Sequence, residues 1–165
     1  MLDILSTQMS VFFLFFFFSL GAVGSLVLKN DRLINGWSNG CALIGSVFGI
    51  LTAWEGLFAN TPFFYSIPSS FPLLSVSLRM DKLSAFFVFI ISLSVALCSL
   101  YAFGYVAHYY KKYSIGALGF FYNIFILGMV AVAMANNALF FLIVWELMSL
   151  ASYFLVIYER HNSDN

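Results

Sequence analysis

The spacing of charged residues constrains this chain more than any other feature. Charge is expensive in hydrocarbon, and about 20 apolar residues cover a bilayer core of roughly 30 Å, so long uncharged gaps mark membrane spans. Asp3 to Lys29 encloses 25 uncharged residues, with six Phe between Phe12 and Phe18. Arg32 to Glu55 encloses 22 more, and Lys82 to Lys111 encloses 28. Each gap holds one helix. Tyr113 to Tyr158 is 46 residues with one charge, Glu146. As a single helix it would run about 69 Å at 1.5 Å per residue, twice the core, so it folds back. Asn136-Asn137 is the polar pair inside it, and a turn there lets Asn137 cap the following helix.

The expected fold class is therefore all-α integral membrane, in one transmembrane domain over residues 1–158. Its spans are about Met9 to Leu28, Gly36 to Phe58, Leu83 to Val106, Gly116 to Ala135 and Ala138 to Ile157, followed by a polar tail over 159–165. Composition agrees: 62% of residues are hydrophobic, 8% are charged and the mean hydropathy is +0.97, against roughly 25% charge in soluble folds. Seven basic residues balance seven acidic ones, which leaves no footprint for nucleic acid. Five crossings place Arg79 and Lys82 on the side of the N-terminus, and Lys29, Arg32, Lys111, Lys112 and Arg160 on the other. Positive charge stays in the cytoplasm, so the N-terminus is expected outside and the C-terminus inside, in the inner cell membrane. The first segment competes with a signal peptide. Met-Leu-Asp offers no basic start and the apolar run is long, which favours a permanent helix.

Between spans two and three, Pro62, Pro68 and Pro72 forbid a continuous helix. Ser75 to Met80 alternates polar and apolar residues, and Phe63-Phe64-Tyr65 can pair with it in a short outer β-hairpin; an irregular interfacial loop is the alternative. Gly45-Ser-Val-Phe-Gly49 and Ala131-Val-Ala-Met-Ala135 are small-residue stripes for close helix packing. Cys41 and Cys98 lie in apolar runs without metal-ligand spacing and read as packing residues. Asp81 precedes span three as an N-cap. His108 and the tyrosines 101, 105, 109 and 110 read as interfacial residues, and Glu55 beside Trp54 as an anchor at the outer end of span two.

Glu146 differs from all of these. It lies about 12 Å along the axis from Ala138, beyond easy reach of either helix end. A carboxylate at that depth is neutralised, paired with a cation or reached by water, and normally faces a bundle interior. Ser149 and Tyr153 follow at i+3 and i+7, giving a polar stripe suited to an internal proton relay; interhelical hydrogen bonding alone is the structural alternative. No intramembrane cation in the sequence stands ready to pair with it.

The run Trp145-Glu146-Leu147-Met148-Ser149-Leu150-Ala151-Ser152-Tyr153-Phe154-Leu155-Val156 resembles the fifth transmembrane helix of the antiporter-like subunits of respiratory complex I, group-4 hydrogenases and multi-subunit sodium/proton antiporters. Its wording is most similar to the hydrogenase-4 component B and formate hydrogenlyase branch. Arg79-Met80-Asp81-Lys82-Leu83-Ser84-Ala85 resembles the family's opening of helix three. The resemblance covers about residues 75 to 158, and it implies proton translocation, with Glu146 paired to a Lys on a later, broken helix. It also implies no cofactor in this chain, and partnership with the lipid bilayer, other membrane subunits and a peripheral redox arm. Family members carry about fourteen helices in inverted repeats. The sequence stops after the fifth, so the expectation is an N-terminal fragment or split subunit completed by a separate chain, or a non-functional remnant, with no independent activity.

Overall fold

The structure, a computed structural model, describes residues 2–59, 62–67 and 76–157. It contains five helices, each long and apolar enough to cross a membrane, and one hairpin. Helices α1 (Leu2–Val27), α2 (Asp31–Phe58), α3 (Lys82–Tyr105), α4 (Ile115–Met134) and α5 (Ala138–Ile157) are joined by short connections, except where β1 (Phe63–Ile67) and β2 (Val76–Met80) intervene after α2. The chain is a multi-pass membrane protein. The expected spans differ from the helices chiefly in α1 and α2, which extend further towards their N-termini. In α2 the cause is a cap: Asn30 accepts from Arg32 N at 3.0 Å, so the helix starts before the apolar run does. The tail over 159–165, Pro68, Pro72 and Ser75 lie outside the described residues.

Helix α2 is the centre of the bundle, packed against α1, α3 and α4. Apolar burial cannot drive helices together in lipid, so close approach through small residues does it. Both glycines of the Gly45/Gly49 pair serve this. A Cβ at Gly45 would lie 2.8 Å from the Phe18 ring of α1, and one at Gly49 would press on Ser92 of α3 and lie 3.1 Å from Leu14 Cδ1. Phe13 and Phe17 stack on Phe48 with centroids 5.1 and 5.7 Å apart, using part of the Phe run to fasten α1 to α2. The core joins Leu14 and Phe18 to Ala42, Ala53, Val88, Val95, Ile126 and Val130.

The outer connection is the expected hairpin. The strands are antiparallel, with Phe63 opposite Met80 and Ile67 opposite Val76. Met80 plugs the bundle end, where Gly56 leaves room for its Cε. The other side of β2 is bonded too: Asn136 N donates to Ser77 O at 3.0 Å, and Leu78 bridges Ala135. The hairpin is thereby tied to the turn between α4 and α5. In the second small-residue stripe Ala131 is buried, whereas Ala135 has already left the helix to make that bridge.

Candidate functional site

Helix α5 begins where the Asn pair placed it. Asn137 Oδ1 accepts from Leu139 N at 2.8 Å and Phe140 N at 3.4 Å, satisfying two of the free N–H groups of the first turn. The helix then lies chiefly on α4. Val144 and Ala151 are buried in that contact, Phe154 stacks on Phe121 at 4.6 Å, and Met148 rests on Gly128, where a Cβ would come within 2.9 Å of its own Cβ. At 100° per residue, positions 144, 148, 151 and 155 form one face.

Glu146, Ser149 and Tyr153 form the face opposite, and all three are exposed. The polar stripe read from the sequence is real. Its direction is not the expected one: rather than facing the interior of these five helices, it points away from them. The physical reason is the small number of partners. With α4 as its main support, α5 buries one narrow face around Val144, Met148 and Ala151, and a residue 200° around the helix from Val144 cannot also be enclosed. Among the described residues none hydrogen-bonds or ion-pairs with Glu146. The carboxylate lies about 12 Å from the start of α5 and about 16 Å from its end, at 1.5 Å per residue.

Asp81 is the cap that the sequence predicts, its carboxylate accepting from Ser84 N at 2.9 Å. That backbone hydrogen bond holds its pKa below the ordinary carboxylate value. His108 sits exposed in a 3₁₀ turn, Val106–Tyr109, after α3. At the other end of the bundle Trp54 is exposed and packs on Phe58, as an anchor should, but Glu55 turns partly inward and encloses its Oε2 without a hydrogen-bond partner among the described residues. Cys41 is buried in the packing, whereas Cys98 is exposed on the flank of α3, which corrects its reading as a packing residue. Among the described residues no three His, Cys, Asp or Glu side chains gather as a metal site.

A second polar assembly had escaped notice in the sequence. Asn35 Nδ2 donates to Phe103 O at 3.0 Å and to the Tyr110 hydroxyl at 2.8 Å, while Asn39 Nδ2 donates to Asn35 Oδ1 at 2.6 Å. Asn123 of α4, fully buried, donates to Ser38 Oγ at 2.8 Å and to Gly119 O at 2.9 Å. Ser99 and Tyr122 share a hydrogen bond of 2.9 Å. Asn35, Ser38 and Asn39 follow the i, i+3, i+4 spacing of one helix face, which was the available signal. These bonds join α2, α3 and α4 towards the end of the bundle that carries Lys29, Arg32, Lys111 and Lys112.

No family model matches the sequence. The chain is 42% identical over 144 residues to hydrogenase-4 component B of Escherichia coli (strain K12), a match covering 87% of this chain and 21% of the relative. It is 30% identical over 92 residues to a Staphylococcus aureus (strain NCTC 8325 / PS 47) protein named as an antiporter subunit, mnhA2, covering 56% of this chain and 11% of the relative. The same identity holds for the protein of strain JH9. The chain thus spans about a fifth or less of the length of these relatives. Over most of its own length the chain is thus similar in sequence to antiporter-like membrane subunits, and its helices are those of a multi-pass membrane protein.

Proposed function

We propose that this chain is part of an ion-translocating membrane subunit in a hydrogenase-4, formate hydrogenlyase or NADH:quinone oxidoreductase-type complex, and that Glu146 is a station of its intramembrane proton relay. The observation that carries the reading is the outward stripe of Glu146, Ser149 and Tyr153 at the middle of a one-sided helix. A bare carboxylate facing lipid costs several kcal/mol. It is retained without penalty where a further helix covers it with a cation or with water. The outward stripe supports a partner on polypeptide outside these 165 residues, against which the stripe becomes interior on assembly. The peripheral redox arm, the location in the inner membrane and the outward N-terminus belong to the same proposal; the two-to-five division of basic residues supports the orientation.

The test compares Glu146→Gln and Glu146→Asp with the parent in the assembled complex, in sealed vesicles, following proton uptake with a pH-sensitive dye. Loss of coupled uptake in Gln with retention in Asp, at unchanged complex abundance, is the expected outcome. Gln behaving as the parent refutes the relay. A second reading, a subunit of a sodium/proton antiporter without redox partners, is favoured by the 30% match. Affinity purification separates the two: a nickel-iron or flavin protein among the partners supports the first, several small membrane proteins without a redox centre the second. A remnant without function predicts that Glu146→Leu is harmless.

A further inference from the structure

Between α2, α3 and α4, near the end of the bundle that carries Lys29, Arg32, Lys111 and Lys112, lies a cleft of about 200 Å³. It is half open. Its lining includes Cys98, Ala102 and Tyr105 of α3, Leu118 and Tyr122 of α4, and Asn39 of α2. Cys98 and Tyr105 are exposed on the flank of α3, so the mouth faces sideways, where lipid lies.

The wall is almost wholly carbon although two asparagines, a serine and two tyrosines contribute to it. The hydrogen bonds explain why. Asn39 is spent on Asn35, Asn35 on Phe103 O and Tyr110, and Tyr122 on Ser99, so these polar groups bond to one another across the floor. Such a cleft has little to hold water, which needs two to four polar partners. It is also smaller than the roughly 300–1,000 Å³ of a site for a compact organic ligand. A flexible hydrocarbon chain fits both facts.

Charge identifies the head that such a chain would carry. The segment closing this end, Val106 to Tyr113, is held by the Tyr110 hydroxyl on Asn35 and by Lys111 N donating to Asp31 Oδ2 at 2.9 Å. Lys111 takes a left-handed φ of 63° to make that bond, and the side chains of Lys111 and Lys112 are exposed. Among the described residues this end holds Lys29, Arg32, Lys111 and Lys112 against Asp31 alone, whereas Arg79 and Lys82 at the opposite end are balanced by Glu55 and Asp81. Basic residues at the bilayer surface favour anionic headgroups, and the tyrosines 101, 105, 109 and 113, in successive ring contact with centroids 5.3 to 5.5 Å apart beside the cleft, mark the interface level.

We infer that this cleft holds one acyl chain of an anionic phospholipid whose headgroup lies against Lys111 and Lys112. Cys98 reports on it directly. The full chain, delipidated in a mild maltoside detergent, is treated with a small maleimide while phosphatidylglycerol, phosphatidylcholine or inorganic phosphate is added, and alkylation of the Cys98 peptide is timed by mass spectrometry. Phosphatidylglycerol is expected to slow alkylation several-fold at concentrations where phosphatidylcholine and phosphate do nothing. In Lys111→Gln/Lys112→Gln the half-protecting concentration is expected to rise by roughly five-fold per lysine, the weight of one basic residue at an anionic surface. Equal protection by both lipids, protection by phosphate alone, no protection, or a double variant that matches the parent overturns the inference. So does a Cys98 that stays shielded in the assembled complex after lipid removal, because protein then fills the cleft. The comparison of lipids on the unsubstituted chain stands whatever the variants do to folding.

Discussion

Gly128 sets how closely α5 can lie on α4, and replacing it with Ala measures that closeness. An added Cβ would sit 2.9 Å from Met148 Cβ and 3.2 Å from Met148 Cα. Carbon atoms prefer separations of about 3.5–4.0 Å, so the helices must part by roughly 0.5–1 Å, and a gap of that size forfeits a quarter to a half of each contact it opens. Overpacking of this kind costs about 1–3 kcal/mol. Ala also gains roughly 0.5–1 kcal/mol over Gly within a helix, so the net expected loss is about 1 kcal/mol. Gly40 of α2 supplies the reference, because nothing lies within 4 Å of a Cβ built there. Gly40→Ala should stabilise by the propensity gain alone, leaving the two variants about 2 kcal/mol apart. The assay is reversible unfolding of the purified chain in mixed micelles with increasing SDS, followed by far-UV circular dichroism. A contrast of that size is about a 30-fold difference in unfolding equilibrium. If the two alanines shift the midpoint equally and in one direction, the close contact of α4 and α5 is wrong.

Asn123→Leu removes the donor to Ser38 Oγ and Gly119 O. Hydrogen bonds between membrane helices average about 0.6 kcal/mol and reach roughly 1–2, so a loss of about 1 kcal/mol in the same SDS titration is expected. Ser38→Ala in that background should cost almost nothing further, and additive losses would show that the two side chains act separately. Asp81→Ala should cost about 1 kcal/mol as a lost cap, with Asp81→Asn close to the parent. Because the folded carboxyl pKa is depressed, the stability it adds is fully present above its unfolded value near 4 and is lost as pH falls through the lower folded value. The SDS midpoint of the parent should therefore drop below about pH 4 by more than that of Asp81→Asn, and parallel pH profiles would refute the assignment. Asn137→Ala should expose the first turn of α5 to faster hydrogen exchange at Leu139 and Phe140, the two amides it now bonds.

Much of the architecture was legible because lipid imposes simple rules. Charge gaps gave the number of helices, Pro62 and the alternation ending at Met80 gave the hairpin, and Asn136-Asn137 gave the turn and the α5 cap. Neither Asp81 nor Asn137 needed tertiary information, since a cap is decided within one helical turn. The facing of Glu146 did need it. Periodicity puts Glu146, Ser149 and Tyr153 on a common face, but which face is covered depends on how many helices surround α5, and that number is not local. Asn35, Ser38, Asn39 and Asn123 were hidden for a related reason. Single amides inside apolar runs do not interrupt a span, and their meaning emerges only when α2 and α4 bring Ser38 and Asn123 within 2.8 Å. Cys98 failed as a packing residue because α3 turns that flank outward beside the cleft.

The one-sided seating of α5 bears on the order in which such a subunit is put together. During insertion the carboxylate of Glu146 enters the bilayer with no cation beside it, at a cost of roughly 2.5–3.5 kcal/mol on the insertion scale for charged residues at a helix centre. The twelve Leu, Ile, Phe and Val residues of α5 return about 0.3–0.6 kcal/mol each, or about 4–7 kcal/mol together. The segment can thus be threaded into the membrane alone and wait there. On the proposed relay, the chain then stays unsatisfied along one stripe, and that stripe gives it selective affinity for a helix that brings a compensating charge.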